Sequence, residues 1–331
     1  MNRREFLALA TCAATFTKGY TANADKSLIA DIKESVELFE STTMFDYEKR
    51  LGALEKAQRV IYAMKTGVPF LKHQSAGLSL SEEDVAKTHA LHPALWWYDR
   101  AFEKVLKEFQ ETKVTTNKPA IWYIYNMGIV VKTSTVSFSI DLSHRQGVKF
   151  APLLDFALTT HSHGDHWSRE FTNAMLKNGK HVISNFLLEP GYYFKGDRKT
   201  YTFGDVKVHV SEADHNKRLL KAIMCFEVEF GGEKPFVIFH SGDTHRASCL
   251  RPINPNPDIF MGHCAIGLNF NVAYTTSMPA KLMLPLHHQE LGHLGGKYRC
   301  VGFHEEPKKY MKSLPEIGAN TALPVWGDRI C

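Results

Sequence analysis

The chain has 331 residues, 44% of them hydrophobic and 23% charged, and carries a formal net charge of +5. So much apolar content excludes a disordered chain. The mild, scattered positive charge gives no footprint for nucleic acid, and none is expected as a partner. Beyond the first residues no apolar run approaches the ~20 residues that span a bilayer, so no transmembrane segment is expected in the mature chain.

The chain opens with Met1-Asn2-Arg3-Arg4-Glu5-Phe6-Leu7, then a short apolar stretch to Phe16 and the triplet Ala22-Asn23-Ala24. A charged start, an apolar segment too short to span a membrane and a small-x-small site make a secretory signal. Residues 1–24 are therefore read as a signal peptide cleaved after Ala24. Arg3-Arg4 followed by Phe6-Leu7 resembles the twin-arginine export signal, which implies passage of an already folded, often metal-loaded protein. The expected location is a bacterial periplasm.

Six cysteines fall at 12, 225, 249, 264, 300 and 331, with no Cys-x-x-Cys pair, so a structural zinc ribbon is not expected. Five remain after the leader, an odd number that argues against a complete disulfide framework. Cys225 lies in an apolar run and reads as a core residue. A surface pair of Cys300 and Cys331 stays open in an oxidising compartment.

Residues 25–112 read as a helical extension. Leu51, Leu54, Ile61 and Met64 recur at helical spacing and share one face. Ser81-Glu82-Glu83-Asp84 has the form of a capping box and starts another helix. Phe102, Val105, Leu106 and Phe109 form a further stripe, and Trp96, Trp97 and Tyr98 are expected to anchor the helices to the core. From about residue 113 the pattern changes to short β-rich runs: 120–126, 128–133 and 136–142 as a meander, then 156–160, 181–184, 206–210, 222–230, 236–240, 258–261 and 282–286 among loops and helices.

The strongest chemical signal is Thr160-His161-Ser162-His163-Gly164-Asp165-His166, directly after the apolar run Phe156-Ala157-Leu158. Three imidazoles and a carboxylate within six residues suit divalent metals of the zinc class. A strand cannot present all four side chains on one side, but a loop just beyond it can.

His-x-His-x-Asp-His after an apolar strand is the signature of the metallo-β-lactamase-fold hydrolases, and the chain resembles that family over about residues 118–300. Later landmarks follow in the same order: His215 after a strand, Asp243 in Ser241-Gly242-Asp243-Thr244, and a histidine in Leu284-Pro285-Leu286-His287-His288. The resemblance implies an α/β fold, a four-layer αββα sandwich, with residues 113–331 as the catalytic domain behind the helical extension. It also implies two divalent metal ions, most readily Zn2+ but also Mn2+ or Fe2+. His161, His163 and His215 would hold one; Asp165, His166 and His287 the second; Asp243 would bridge them. Either His287 or His288 could serve, and the family pattern Pro-x-His favours His287. Asp165 and His166 are also the expected catalytic pair, beside a metal-bridging hydroxide as nucleophile.

His245, His263 and His293 are candidates for supporting or substrate-contacting roles, Asp214 for orienting an imidazole, and His240 for a structural one. The expected function is cleavage of an ester, lactone or phosphodiester bond in a small molecule. The segments at 242–244 and 285–288 look most like the lactonase and phosphodiesterase relatives. His163, where flavodiiron-type relatives carry Glu, argues against redox chemistry. The alternatives are a nuclease of the same fold and a non-catalytic periplasmic metal-binding protein. The helical extension is expected to pack beside the active-site mouth and limit substrate size.

Overall fold

The computed structural model describes residues 26–188, 192–264, 268–294 and 320–331. The leader, and Cys300 of the considered Cys300–Cys331 pair, lie outside them. Five helices come first: α1 Lys26–Ser41, α2 Tyr47–Ala63, α3 Val68–Ala76, α4 Glu82–Leu91 and α5 Pro93–Glu111. None of the described helices is long and apolar enough to cross a membrane.

Each helix forms for a local reason. Ile32, Val36 and Phe39 of α1 and Leu51, Leu54 and Ile61 of α2 repeat at helical spacing and are buried, as is Met64 just past the end of α2. Ser81 caps α4, its hydroxyl accepting from the Asp84 amide at 3.1 Å, as its sequence pattern predicts. Pro93 sits in the first turn of α5, where a missing N–H costs nothing. Leu95, Phe102, Val105 and Phe109 then bury one side of that helix, each contributing about 1.5–3 kcal/mol. Leu106, at the margin of the same stripe, is only partly buried.

The aromatic cluster is an anchor. Trp97 packs on Trp326 at 4.4 Å and on Phe39 at 5.5 Å, and Tyr98 stacks on His144 at 4.0 Å.

The strands build two mixed sheets. Sheet 1 runs β1 (Ala120–Tyr125), β2 (Gly128–Lys132), β3 (Ser137–Ile140), β4 (Phe156–Leu158), β5 (His181–Ile183). Its β1–β3 meander is antiparallel and β3–β5 are parallel. Helix α6 (Arg169–Lys177), placed between β4 and β5 in the chain, lies against β5. Sheet 2 contains β6 (Arg198–Phe203), β7 (Val206–Ala213), β8 (Ile223–Phe230), β9 (Phe236–His240), β10 (Ile259–His263), β11 (Leu282–Leu286) and β12 (Asn320–Thr321), in the spatial order 12-11-10-9-8-7-6. Its β6–β9 half is antiparallel and its β9–β12 half parallel.

The sheets face each other through Phe138 on Phe230 at 6.1 Å and Phe156 on Phe203 at 3.8 Å. Cys225 is buried in this core. The Nε2 of His240 on β9 meets the Met127 carbonyl at 2.9 Å, so this histidine bridges the sheets in the structural role expected of it. Outside sheet 1, α5 packs on β1 through Phe109 and Trp122. Outside sheet 2, α7 (Phe270–Thr276) covers β10, and Gly262 is required there because a Cβ would lie 2.6 Å from the Phe270 ring. These are the four αββα layers implied by the resemblance.

Residues 326–331 return from sheet 2 to pair with β1: the Ile121 amide donates to the Cys331 carbonyl at 3.2 Å and the Tyr123 amide to that of Asp328 at 2.9 Å. This covers an edge that would otherwise present unpaired backbone. Arg50 of α2 reaches the same segment, pairing with Asp328 at 2.5 Å and donating to the Leu323 carbonyl at 3.1 Å.

Candidate metal centre

Within each sheet the donor residues leave the carboxyl ends of strands that run the same way, where α/β sheets place their sites. Asp141 follows β3, residues 160–166 follow β4, His215 follows β7, Asp243 follows β9, His263 ends β10 and His287 follows β11.

Asp141 fixes the first part. It adopts φ +49°, and its carboxylate accepts from the Thr160 amide at 2.7 Å and the Thr160 hydroxyl at 2.7 Å. A third contact, at 2.8 Å, holds His166 Nδ1. The Thr160 hydroxyl has one proton, spent on Asp141, so it accepts from His161 Nδ1 at 3.0 Å. Both rings thus turn Nε2 inward, the arrangement in which a backing carboxylate or hydroxyl orients an imidazole for a cation.

Those nitrogens meet in one pocket. Oδ2 of Asp243 lies 3.1 Å from His166 Nε2 and 3.8 Å from the Nε2 atoms of His161, His215 and His263. Asp165 Oδ2 lies 3.5 Å from His166 Nε2 and 3.1 Å from His287 Nε2. Two donor groups result, His161/His163/His215/Asp243 and Asp165/His166/His287, each with its ligand atoms mutually within 4.8 Å. His263 joins Asp243 and His287 in a third such group. The structure therefore brings together all seven residues singled out in the sequence. His288 turns away instead, its Nε2 2.7 Å from the Pro324 carbonyl. His245 lies behind His215, with ring centroids 5.2 Å apart. Asp214 orients no imidazole: its carboxylate accepts from the Lys221 amide at 2.9 Å and pairs with Arg246 at 2.5 Å.

Electrostatics favour a cation. Burial holds the imidazoles of His161 and His263 well below their ordinary pKa and pushes His215 down to about 4, keeping their lone pairs available. Burial also opposes charge on His166, yet the Asp243, Asp165 and Asp141 carboxylates outweigh it and raise that pKa well above normal. Burial works against ionised Asp165 and Asp243 as well, and His166 reverses it, holding both well below the carboxylate range. Asp243 Oδ1 is buried without a hydrogen-bond donor. Among the described residues neither Asp165 nor Asp243 pairs with Lys or Arg. Two buried carboxylates ringed by imidazoles fit divalent ions of the zinc class.

Residues without a motif complete the pocket. Asn126, at φ +50°, donates from Nδ2 to Asp165 at 3.2 Å, and its carbonyl accepts from the His287 amide at 3.0 Å. His287 itself takes φ +62°, a strained conformation for a non-glycine residue that these contacts hold in place. On one side the pocket opens to solvent past His163 and His293. The helical extension borders the loop that carries His293, with the Gly67 amide donating to the Leu294 carbonyl at 2.8 Å. Glycine is needed at 67, since a Cβ would come within 2.0 Å of the Gly292 oxygen.

No protein-family profile matches the chain, and no curated protein matches it by sequence. Among solved structures it is similar to Igni18, a novel metallo hydrolase from the archaeon Ignicoccus hospitalis, at 14% identity and TM-score 0.49, over 64% of this chain and 97% of that one. A putative metal-dependent hydrolase from Parabacteroides distasonis matches at 17% identity and TM-score 0.45, over 64% and 96% of the two chains. CmlA, a diiron β-hydroxylase from Streptomyces venezuelae, matches at 11% identity and TM-score 0.46, over 64% and 54%. The pocket's own residues carry the functional reading.

Proposed function

We propose that the protein is a metal-dependent hydrolase holding two divalent ions and cleaving an ester, lactone or phosphodiester bond of a small molecule. The observation that carries this reading is the buried pair Asp165 and Asp243, surrounded by imidazole nitrogens and balanced by no Lys or Arg among the described residues. His161, His163 and His215 would hold one ion, Asp165, His166 and His287 the other, and Asp243 would serve both. His263 stands close enough to Asp243 and His287 to join or support the second set.

When bound, such ions polarise a carbonyl or phosphoryl oxygen and lower the pKa of water toward ~7. The chain's part is to keep the donors aligned through Asp141, Thr160 and Asn126 and to leave one side open past His163. The preference for lactones or phosphodiesters rests on the Gly242-Asp243-Thr244 and Pro285-Leu286-His287 segments. The N-terminal signal supports export to a periplasm, which N-terminal sequencing of protein recovered from that compartment would test. The contact between α3 and the 287–294 loop supports a role for the helical extension in limiting substrate size.

Elemental analysis of purified protein, paired with hydrolysis of bis(p-nitrophenyl) phosphate and a lactone panel before and after chelation, tests the main reading. About two equivalents of zinc, manganese or iron with chelator-sensitive turnover is the expected result. No bound metal after reconstitution overturns it.

A further inference from the structure

Beside the donor cluster stands a second pair that the metal ligation leaves unused. Glu290 is buried and accepts four hydrogen bonds: Tyr125 hydroxyl at 2.8 Å, Gly292 amide at 2.6 Å, His293 amide at 2.8 Å and His293 Nδ1 at 2.7 Å. So many donors keep the carboxylate ionised and fix its position. Among the described residues its only ion-pair partner is His293, whose side chain remains 46% exposed. One ring nitrogen of His293 and single oxygens of Glu290 and Asp165 lie mutually within 4.8 Å, so the imidazole stands at the pocket rim beside Asp165. With Nδ1 committed to Glu290, the ring has only Nε2 to present to a bound molecule.

We propose that His293, backed by Glu290, is the proton donor to the leaving group at the mouth of the metal pocket, an inference that rests on the hydrolase reading above. Hydrolysis adds the water hydroxyl to the acyl or phosphoryl centre as the bond to the leaving oxygen breaks. That oxygen takes the Nε2 proton of His293, so an O–H bond forms as the N–H bond breaks. The water's remaining proton passes to solvent, and His293 recovers a proton from solvent, which closes the balance. The hydrogen bond and the charge of Glu290 raise the His293 pKa to about 9, so the ring carries its proton at neutral pH. Asp165 and Asp243 also face the ring from the pocket, but in the metal-loaded protein their charge would be taken up by the ions, so the 2.7 Å pairing with Glu290 is what holds the proton. A general acid near this position is worth about 10²–10⁴-fold, most where the leaving group is a poor one.

The test uses the metal-loaded full chain and its His293→Gln and Glu290→Gln variants, with phosphodiesters and esters whose leaving groups range from p-nitrophenol to simple alcohols. Turnover of the alkyl substrates should fall about 100-fold or more in His293→Gln, with p-nitrophenyl turnover changed little and metal content unchanged. By NMR the His293 ring should be protonated at pH 8 in the wild type and neutral in Glu290→Gln. An equal loss across all leaving groups overturns the proposal, as does a neutral His293 ring at pH 8 in the wild type. Wild-type protein that loads metal yet hydrolyses nothing overturns the hydrolase reading and the donor role with it. The NMR readout distinguishes that failure from a dyad that does not hold its proton.

Discussion

Among the described residues two clusters of histidine and aspartate stand out, one at the candidate metal pocket and one where the helical extension meets sheet 1. In the second, Asp99 of α5 faces His73 of α3 at 2.8 Å and His89 of α4 at 2.9 Å, ligand types and spacing that on their own resemble a metal site. The difference is Arg145, which grips the same carboxylate through Nε at 2.8 Å and Nη2 at 2.7 Å and also donates to the Gly77 carbonyl at 3.0 Å. Burial opposes the Asp99 charge, but His73, His89 and Arg145 together hold its pKa far below normal. A guanidinium already supplies the cation there, so the cluster fastens three helices to the loop after β3. Asp165 and Asp243 have no such partner among the described residues. Counting donors therefore does not separate a fastener from a metal pocket; the sign and source of the balancing charge do.

Replacing Arg145 by Met should break the contrast most. It leaves a buried carboxylate without its main partner, at a cost of about 3–5 kcal/mol, and denaturant unfolding would register it. Zinc should then stabilise this variant through His73, His89 and Asp99; an unchanged unfolding midpoint would show that Arg145 is not the balancing charge.

Asp243→Asn acts on the other side of the comparison. Losing an anionic ligand should exceed the 10–100-fold that loss of a merely orienting partner costs, so turnover should fall more than about 100-fold and bound metal below about two equivalents. Full metal content in that variant would place Asp243 outside the ligand set.

Asp141→Asn should cost about 10–100-fold in metal affinity, because the amide holds His166 less firmly and presents an N–H on one side. Competition with a chromophoric chelator measures it, and an unaltered affinity would mean that packing alone orients His166.

The smallest effect concerns pH. His293 is raised to about 9 from an ordinary value of 6.5, so its pairing with Glu290 stabilises the fold fully below about pH 6.5 and is lost as pH rises through about 9. Unfolding measured between pH 6 and 10 should show this decline in the wild type and a flatter curve in Glu290→Gln.

The legible part of the molecule is that in which pattern and geometry coincide. The His161–His166 segment is compact, and His215, Asp243 and His287 each follow an apolar strand, so order along the chain locates them. The unreadable part depends on contacts between distant segments. Asp141 precedes no motif, yet its left-handed backbone aims a carboxylate at a residue 25 positions later. Asn126 works mainly through a carbonyl, which every residue possesses. Glu290 belongs to no motif, and its place in the site comes from contacts such as that with Tyr125, 165 positions earlier. Asp214 shows the opposite error, since adjacency to His215 along the chain brings no contact with its ring. Strand β6, Arg198–Phe203, escapes notice because its outward positions are polar and exposed, which removes the apolar run that marks a buried strand.

The pairing of Arg50 with Asp328 also bears on the order in which the molecule can be completed. Its partners are 278 positions apart, and the Leu323 carbonyl bound by the same guanidinium is 273 positions away. During synthesis the first two helices emerge long before the residues that neutralise Arg50 and cover the β1 edge. Until those residues arrive, a cation meant for burial and a strand edge meant for pairing both stay in water. Closure at so great a separation is slow, so the Arg50 pairing and the covering of the β1 edge both wait for residues 320–331.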